Sequence, residues 1–274
     1  MDLGQHFLVN QKIAEKVVDS LELKEKDVVL EIGGGRGVLS EKIARKVKKF
    51  YIIEIDKNLV DVLKNKFGSF NNVEIINEDF LKFDLDKLES NFKIVGNIPY
   101  SITSSILGKI FHSVNKWQIC VLMLQKEVAK KLLAKPKDTF FSKLTLIANF
   151  YTKINFICDV YKEFFEPKPK VHSAVVKFLP NYEFLNFEYK NELFEIITVV
   201  FAHKRKTLLN SLHLGFKIDK NILEEVLVNS RVKISSRPQE LSVGEYIKIT
   251  EKLSKIIKKS TNNYTYPHTY PHGG

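Results

Sequence analysis

From residue 28 to residue 124 short apolar runs alternate with stretches of helical spacing, and few folds accept that pattern. The runs are VVLEIG (28–33), YIIEID (51–56), VEIIN (73–77), FKIVGN (92–97) and WQICVLML (117–124). Between them, 38–48, 57–67, 102–113 and 125–134 read as helices. Alternation of β-branched runs with helices predicts an α/β fold, a Rossmann-like parallel sheet with helices on both faces. A helix over 12–21 precedes the first strand, with Ile13, Val17, Val18 and Leu21 at helical spacing. INFICDVY (154–161) and SAVVKFL (173–179) follow a helix near 143–150 and are expected to close the sheet.

After Pro180 the texture changes. Residues 190–258 hold helical patterns alone, so a small all-helical C-terminal domain is expected. The boundaries read from this are 1–180, 181–260 and a tail, 261–274, with no core pattern. His268 and His272 in that tail are weak metal candidates, and no metal site is expected.

The 274 residues, 44% hydrophobic and 27% charged, suit a soluble globular chain. The net charge of +11 points to an anionic partner, nucleic acid first and an acidic membrane second. Cys120 and Cys158 sit in apolar runs without metal or disulfide spacing, as buried thiols in a reducing compartment would. No run is long and apolar enough to span a bilayer, and MDLGQHFLVNQK lacks a signal-peptide core. A cytoplasmic monomer with no membrane association is expected.

Within VVLEIGGGRGVLS, glycines at 33, 34, 35 and 37 follow a strand and precede a helix. The dinucleotide fingerprint fails because Val38 stands where its third glycine belongs, and the P-loop Lys-Ser/Thr pair is missing. What remains is an acid and glycine series, with Glu54 ending the next strand and Asp79 following the one after. A carboxylate at Glu54 can bind the two hydroxyls of a ribose, and Asp79 can meet an adenine amino group. Acids are poor hosts for pyrophosphate but tolerate a cation, and S-adenosylmethionine carries a sulfonium and an ammonium without phosphate.

FKIVGNIPYSITS then acquires a use. Pro99 stiffens a strand end that also carries Asn97 and Tyr100. An adenine amine is a weak nucleophile, and the Asn97 side-chain oxygen with a backbone carbonyl beside Pro99 can accept its hydrogens. Tyr100 can stack on the base. Positioning and hydrogen bonding then carry the catalysis, without a metal.

LGQHFLVN, EIGGGRGVLS, EID, NEDFL, NIPYSITSSIL, QKEVAKKLLAKP, FFEPKPKVHSAVV, FAHKRKTLLNSL and RPQELSVGEYI resemble, in order, motifs of the small-subunit ribosomal RNA adenine N6,N6-dimethyltransferases (KsgA/RsmA). The resemblance runs from residue 3 to about residue 250. It implies a methyltransferase catalytic domain and a helical RNA-binding domain acting on two adjacent adenines near the 3′ end of that RNA, in a 30S assembly intermediate. It also implies that Gln5, His6 and Leu8 close over the cofactor, with Gly33 and Gly35 in the glycine loop, Glu54 at the ribose, Asp79 at the adenine, and Asn97 shared between cofactor and target. Asn97, Pro99 and Tyr100 would hold the target base, and Phe165 of F-x-P-x-P would form a second aromatic wall. Three positions depart from common family residues: His6 for Asn, Ser101 for Asn and His172 for Asp. The chain also begins almost on the first motif, without the basic arm many relatives carry.

Lys130 and Lys131 belong to one basic cluster, and Lys204, Arg205 and Lys206 to another that is expected to open a helix. Both are candidate phosphate contacts. Two rivals remain: a macrolide-resistance methyltransferase acting on large-subunit RNA, and a non-catalytic RNA-binding assembly or transcription factor on the same fold.

Overall fold

The computed structural model describes residues 5–261, with side chains described as far as Ile256. The tail with His268 and His272 lies outside the described residues. In chain order the elements begin with β1 (Phe7–Leu8), α1 (Gln11–Asp19), β2 (Val28–Ile32), α2 (Ser40–Ile43), β3 (Lys49–Glu54), α3 (Lys57–Phe67) and β4 (Val73–Asn77). They continue with β5 (Phe92–Asn97), α4 (Thr103–His112), β6 (Trp117–Gln125), α5 (Lys126–Leu133), α6 (Lys143–Tyr151), β7 (Thr152–Val160), β8 (Phe165–Glu166) and β9 (Ser173–Pro180). Four helices follow: α7 (Lys190–Ala202), α8 (Leu208–Phe216), α9 (Lys220–Asn229) and α10 (Val243–Thr261).

Seven strands form one sheet in the order β4-β3-β2-β5-β6-β9-β7, and helices cover both faces. The first five in that order run parallel, while β9 is antiparallel to both β6 and β7. The central strands β2 and β5 are mainly apolar and buried nearly end to end, Glu31 and Lys93 included, because both faces are covered, whereas the edge strands β4 and β7 are partly exposed. Helix α1 shows the same logic in helical form. Asn10 caps it by accepting from the Ile13 N–H, and Ile13, Ala14, Val17 and Val18 turn one face into the core. Each large aliphatic buried there contributes about 1.5–3 kcal/mol.

Three sequence expectations are corrected here. The helix expected over 38–48 is only Ser40–Ile43, because the Asn72 amide donates to the carbonyls of Ala44 (2.8 Å) and Val47 (2.9 Å) and ends it. The His203–Lys206 run is an exposed connection, since Thr207 caps α8 by accepting from the Asn210 N–H. Residue 180 is not a clean boundary. The chain divides into one unit of residues 1–133 and 148–185 and a second of 134–147 and 186–274, so an internal segment folds with the helical unit.

Candidate active site

The first unit holds a cleft of about 310 Å³ at the carboxyl ends of β2, β3 and β5. The strand order reverses at β2, with β3 on one side and β5 on the other, which opens a crevice there. Gln5, His6, Leu8, Gly33, Gly35, Glu54, Asp79, Asn97, Pro99 and Tyr100 all line it.

The glycine turn is shaped by its neighbours. Gly33 and Gly35 have φ of +74° and +53°, in the left-handed region that favours glycine. A Cβ on Gly34 would lie 2.4 Å from Ile52 Cγ2, so the turn packs directly on β3. The Gly35 N–H then donates to Glu54 Oε2 and the Asp56 N–H to Oε1, both at 2.9 Å. Glu54 is only 3% exposed, and each oxygen is fixed by one backbone donor. A carboxylate offers roughly four acceptor sites, so a hydroxyl pair can still be accommodated.

Glu31, the acid that opens the glycine motif, is buried beside Glu54 and accepts from Ser40 Oγ at 2.6 Å. Burial pushes its carboxyl up to about 8, with the Glu54 charge adding and the Ser40 bond opposing. At neutral pH it is mostly protonated, which reduces the negative charge inside the turn. The sequence shows Glu31 as a strand residue, and only burial reveals its protonation.

Asp79 organises the next loop. Its Oδ1 accepts from the Leu81 N–H at 2.8 Å, and its carbonyl accepts from the Lys82 and Phe83 N–H groups at 2.9 and 3.0 Å. Lys109 of α4 donates to the carbonyls of Phe80 (2.7 Å), Leu81 (3.0 Å) and Phe83, so one ammonium clamps the whole loop. Burial lowers the Lys109 pKa, opposed by the charges of Asp79, Asp84 and Glu78. Nothing local in the sequence marks Lys109 for this task.

A strap formed by residues 5–9 crosses the site. β1 pairs antiparallel with β8, matching Phe7 to Glu166 and Leu8 to Phe165. His6 Nδ1 bonds the Pro167 carbonyl at 2.7 Å, and because a carbonyl only accepts, Nδ1 carries the hydrogen. Arg36 lies 4.6 Å over the Phe7 ring and 3.6 Å from Glu166, which ties the glycine turn to the strap.

Asn97 meets the strap directly. Its Nδ2 donates to the His6 carbonyl at 2.8 Å, which sets the amide orientation and leaves Oδ1 as its acceptor. The Pro99 carbonyl accepts from Ile102 N–H and Thr103 Oγ1, and that turn does not use the Ile98 carbonyl. Tyr100 Oη is 2.7 Å from Ser173 Oγ, and the ring is 5.8 Å from the His6 ring with a 35° tilt. Burial raises the Tyr100 pKa, with the Ser173 bond opposing, so Tyr100 is a neutral phenol and no base.

Phe165 is a correction. It is 2% exposed, opposite Leu8, and packs in the core behind the strap, so it presents no open wall to the cleft. The pairing of β1 with β8 turns its side chain inward and Glu166 outward. Lys130 and Lys131 lie on α5 in the first unit, where Lys131 pairs with Glu127 at 2.7 Å. Lys204, Arg205 and Lys206 are exposed in the second unit.

The geometry has counterparts. A dimethyladenosine transferase from Plasmodium falciparum superposes with a TM-score of 0.80 at 28% identity, over 91% of this chain and 98% of that one. The 23S rRNA methyltransferase ErmE gives 0.73 at 25% identity, over 90% and 99%. A ribosomal RNA small subunit methyltransferase A from Mycoplasmopsis pulmonis is 43% identical over 79% of this chain and 84% of its own length. The family description ribosomal RNA adenine dimethylase matches residues 1–255. With its α/β sheet and its acid-and-glycine cleft, the chain belongs to the ribosomal RNA adenine dimethylase family and is an S-adenosylmethionine-dependent methyltransferase.

Proposed function

We propose that the chain methylates the N6 amines of two adjacent adenines near the 3′ end of small-subunit ribosomal RNA, giving N6,N6-dimethyladenosines during subunit assembly. The observation that carries this reading is the meeting of Glu54 and Asp79 with Asn97 and Tyr100 in one cleft. The donor set fits S-adenosylmethionine: acids and glycines without a phosphate-binding lysine, and a Glu54 carboxylate with capacity for two hydroxyls. When bound, that cofactor supplies a methyl group already activated by a sulfonium.

The protein's own residues do the rest. Tyr100 presents a ring anchored at its hydroxyl by Ser173, so a flipped adenine can stack on a platform of fixed orientation. Asn97 Oδ1, oriented by the bond from its own Nδ2 to the His6 carbonyl, accepts one amine hydrogen and draws lone-pair density toward N6. A preorganised acceptor contributes most where charge changes in the transition state. The N6 ammonium that forms then loses a proton to solvent, and the neutral product can be methylated again.

The name of the Mycoplasmopsis pulmonis relative supports the small subunit as substrate. The likeness to ErmE keeps large-subunit RNA as the second reading. Incubating the protein with labelled cofactor and either small-subunit particles or protein-free large-subunit RNA, then mapping the methylated adenines, separates the two. Label in adjacent small-subunit adenines is expected. Label confined to large-subunit RNA would overturn the assignment.

A further inference from the structure

Beyond Tyr100 the same edge of the first unit carries an aromatic feature that methyl transfer itself does not use. Tyr161, just past the end of β7, is 56% exposed. Its ring is propped edge-on by His172 (5.6 Å, 90°) and by Phe164 (5.9 Å, 82°). The backbone around it is also fixed, because the Lys162 N–H donates to His172 Nδ1 at 3.1 Å and the Lys126 N–H to the His172 carbonyl at 3.0 Å. A large ring held this firmly has little side-chain entropy left to lose when something stacks on it.

The position is continuous with the cleft. His172 immediately precedes Ser173, whose hydroxyl holds Tyr100, and Ser173 pairs with Val160, the residue before Tyr161. The local charge suits a polyanion. The three carboxylates nearby are each ion-paired, Asp159 with Lys126, Glu163 with Lys168 and Glu166 with Arg36. Lys162 and Lys170 have no ion-pair partner among the described residues. Exposed aromatic rings interleaved with lysines are the means by which single-stranded nucleic acids are held without sequence readout.

We propose that Tyr161, backed by His172, is a stacking ledge for the nucleotide next to the target adenine, with Lys162 and Lys170 meeting its phosphates. The ledge rests on the methyl-transfer reading above and adds to it a second base-binding position. It would hold the strand on one side of the flipped base, so that Tyr100 receives one adenine in a fixed register.

A short single-stranded oligoribonucleotide with 2-aminopurine beside one adenine tests this, titrated with wild-type protein, Tyr161→Phe and Tyr161→Ala. Stacking quenches 2-aminopurine, so wild type and Tyr161→Phe should quench it alike. Tyr161→Ala should lose the quenching and bind about tenfold or more weakly, with cofactor affinity and melting temperature unchanged. Equal quenching and affinity in Tyr161→Ala overturns the ledge and leaves Tyr161 to a protein contact. Methyl transfer by the wild type to small-subunit particles is measured alongside. Transfer with an inert Tyr161→Ala exchange refutes the ledge alone, while no transfer to any RNA refutes the underlying reading and the ledge with it.

Discussion

At the amino ends of the parallel strands, Lys93 and Asp27 form an ion pair at 2.6 Å with side chains only 3% and 5% exposed, whereas at the carboxyl ends Glu54 and Asp79 line an open cleft. The buried pair is closed on itself. Lys93 also donates to the Glu22 carbonyl at 2.7 Å, and Asp27 accepts from the Lys24 N–H at 2.7 Å. Glu22 is in turn paired with Lys177, whose hydrogen bond and charge lower its pKa. At the cleft, by contrast, acids are oriented by backbone N–H groups while retaining acceptor capacity. One sheet thus carries two kinds of polar group. Those at the amino end are satisfied within the fold and should govern stability, and those at the carboxyl end are only half satisfied and should govern ligand affinity and rate.

The largest expected effect tests the closed end. Asp27→Asn removes the counter-charge of a buried ammonium and should destabilise the fold by about 3–5 kcal/mol. Cofactor affinity of the protein that remains folded should not change. Denaturant unfolding that shows less than about 1 kcal/mol of loss would erase the proposed division between the two ends.

Glu31 is the exception that sharpens the contrast, because it is buried at the cleft end and accepts from the Ser40 hydroxyl, whereas the equally buried Glu54 accepts from two backbone N–H groups. Its carboxyl is raised from 4.5 to about 8, so the folded state binds a proton that the unfolded state releases. The stability attached to that proton is fully present below about pH 4.5 and is lost as pH rises toward about 8. Glu31→Gln keeps an acceptor for Ser40 and cannot ionise. It should match wild type near pH 4 and exceed it by a few kcal/mol above pH 8, as read by melting temperature against pH. Parallel curves for the two proteins would mean that Glu31 is ionised in the fold.

Asn97→Ala should leave stability nearly intact and slow single-turnover methylation about a hundredfold or more, which is roughly 3 kcal/mol. A wild-type rate at saturating RNA would reduce the amide to an anchor for the His6 carbonyl. Glu54→Ala comes next and should weaken S-adenosylmethionine binding by about 1.5–3 kcal/mol. Its carboxylate also organises the glycine turn through Gly35 and Asp56, so calorimetry should be paired with an unfolding curve. Unchanged affinity would remove Glu54 from the ribose.

What was legible in the sequence follows the range of the interactions. The strands were, because β-branched runs such as those of β2 and β5 are buried on both faces and announce themselves locally. The cleft residues were, because Glu54, Asp79 and Asn97 stand at or just after strand ends, where a parallel sheet collects them. Features set by distant partners were not. Asn72 ends α2 from 28 residues away, and Leu8 turns Phe165 inward across most of the first unit. The 134–147 segment reads as a connection that runs into the helix near 143–150, and nothing local says that it packs with residues beyond 186. Lys109 and Ser173 act through contacts no motif encodes.

The smallest expected effect isolates one such contact. The Tyr100 hydroxyl meets Ser173 Oγ, and the phenol is neutral, so the hydroxyl contributes orientation rather than proton transfer. Tyr100→Phe keeps the ring face and should lower kcat/KM only a few-fold, within about 1 kcal/mol for one neutral hydrogen bond. Ser173→Ala should do the same from the other side of the bond. If orientation is the whole role, the double variant should be no worse than either single one, because the second substitution removes a bond already lost. Tyr100→Ala removes the platform itself, worth about 1–3 kcal/mol per base, and should fall well below all three. Independent losses from Tyr100→Phe and Ser173→Ala that add in the double variant would show that each hydroxyl has a separate task. The half-satisfied end of the sheet would then contain a polar contact that acts on neither affinity nor rate through its partner.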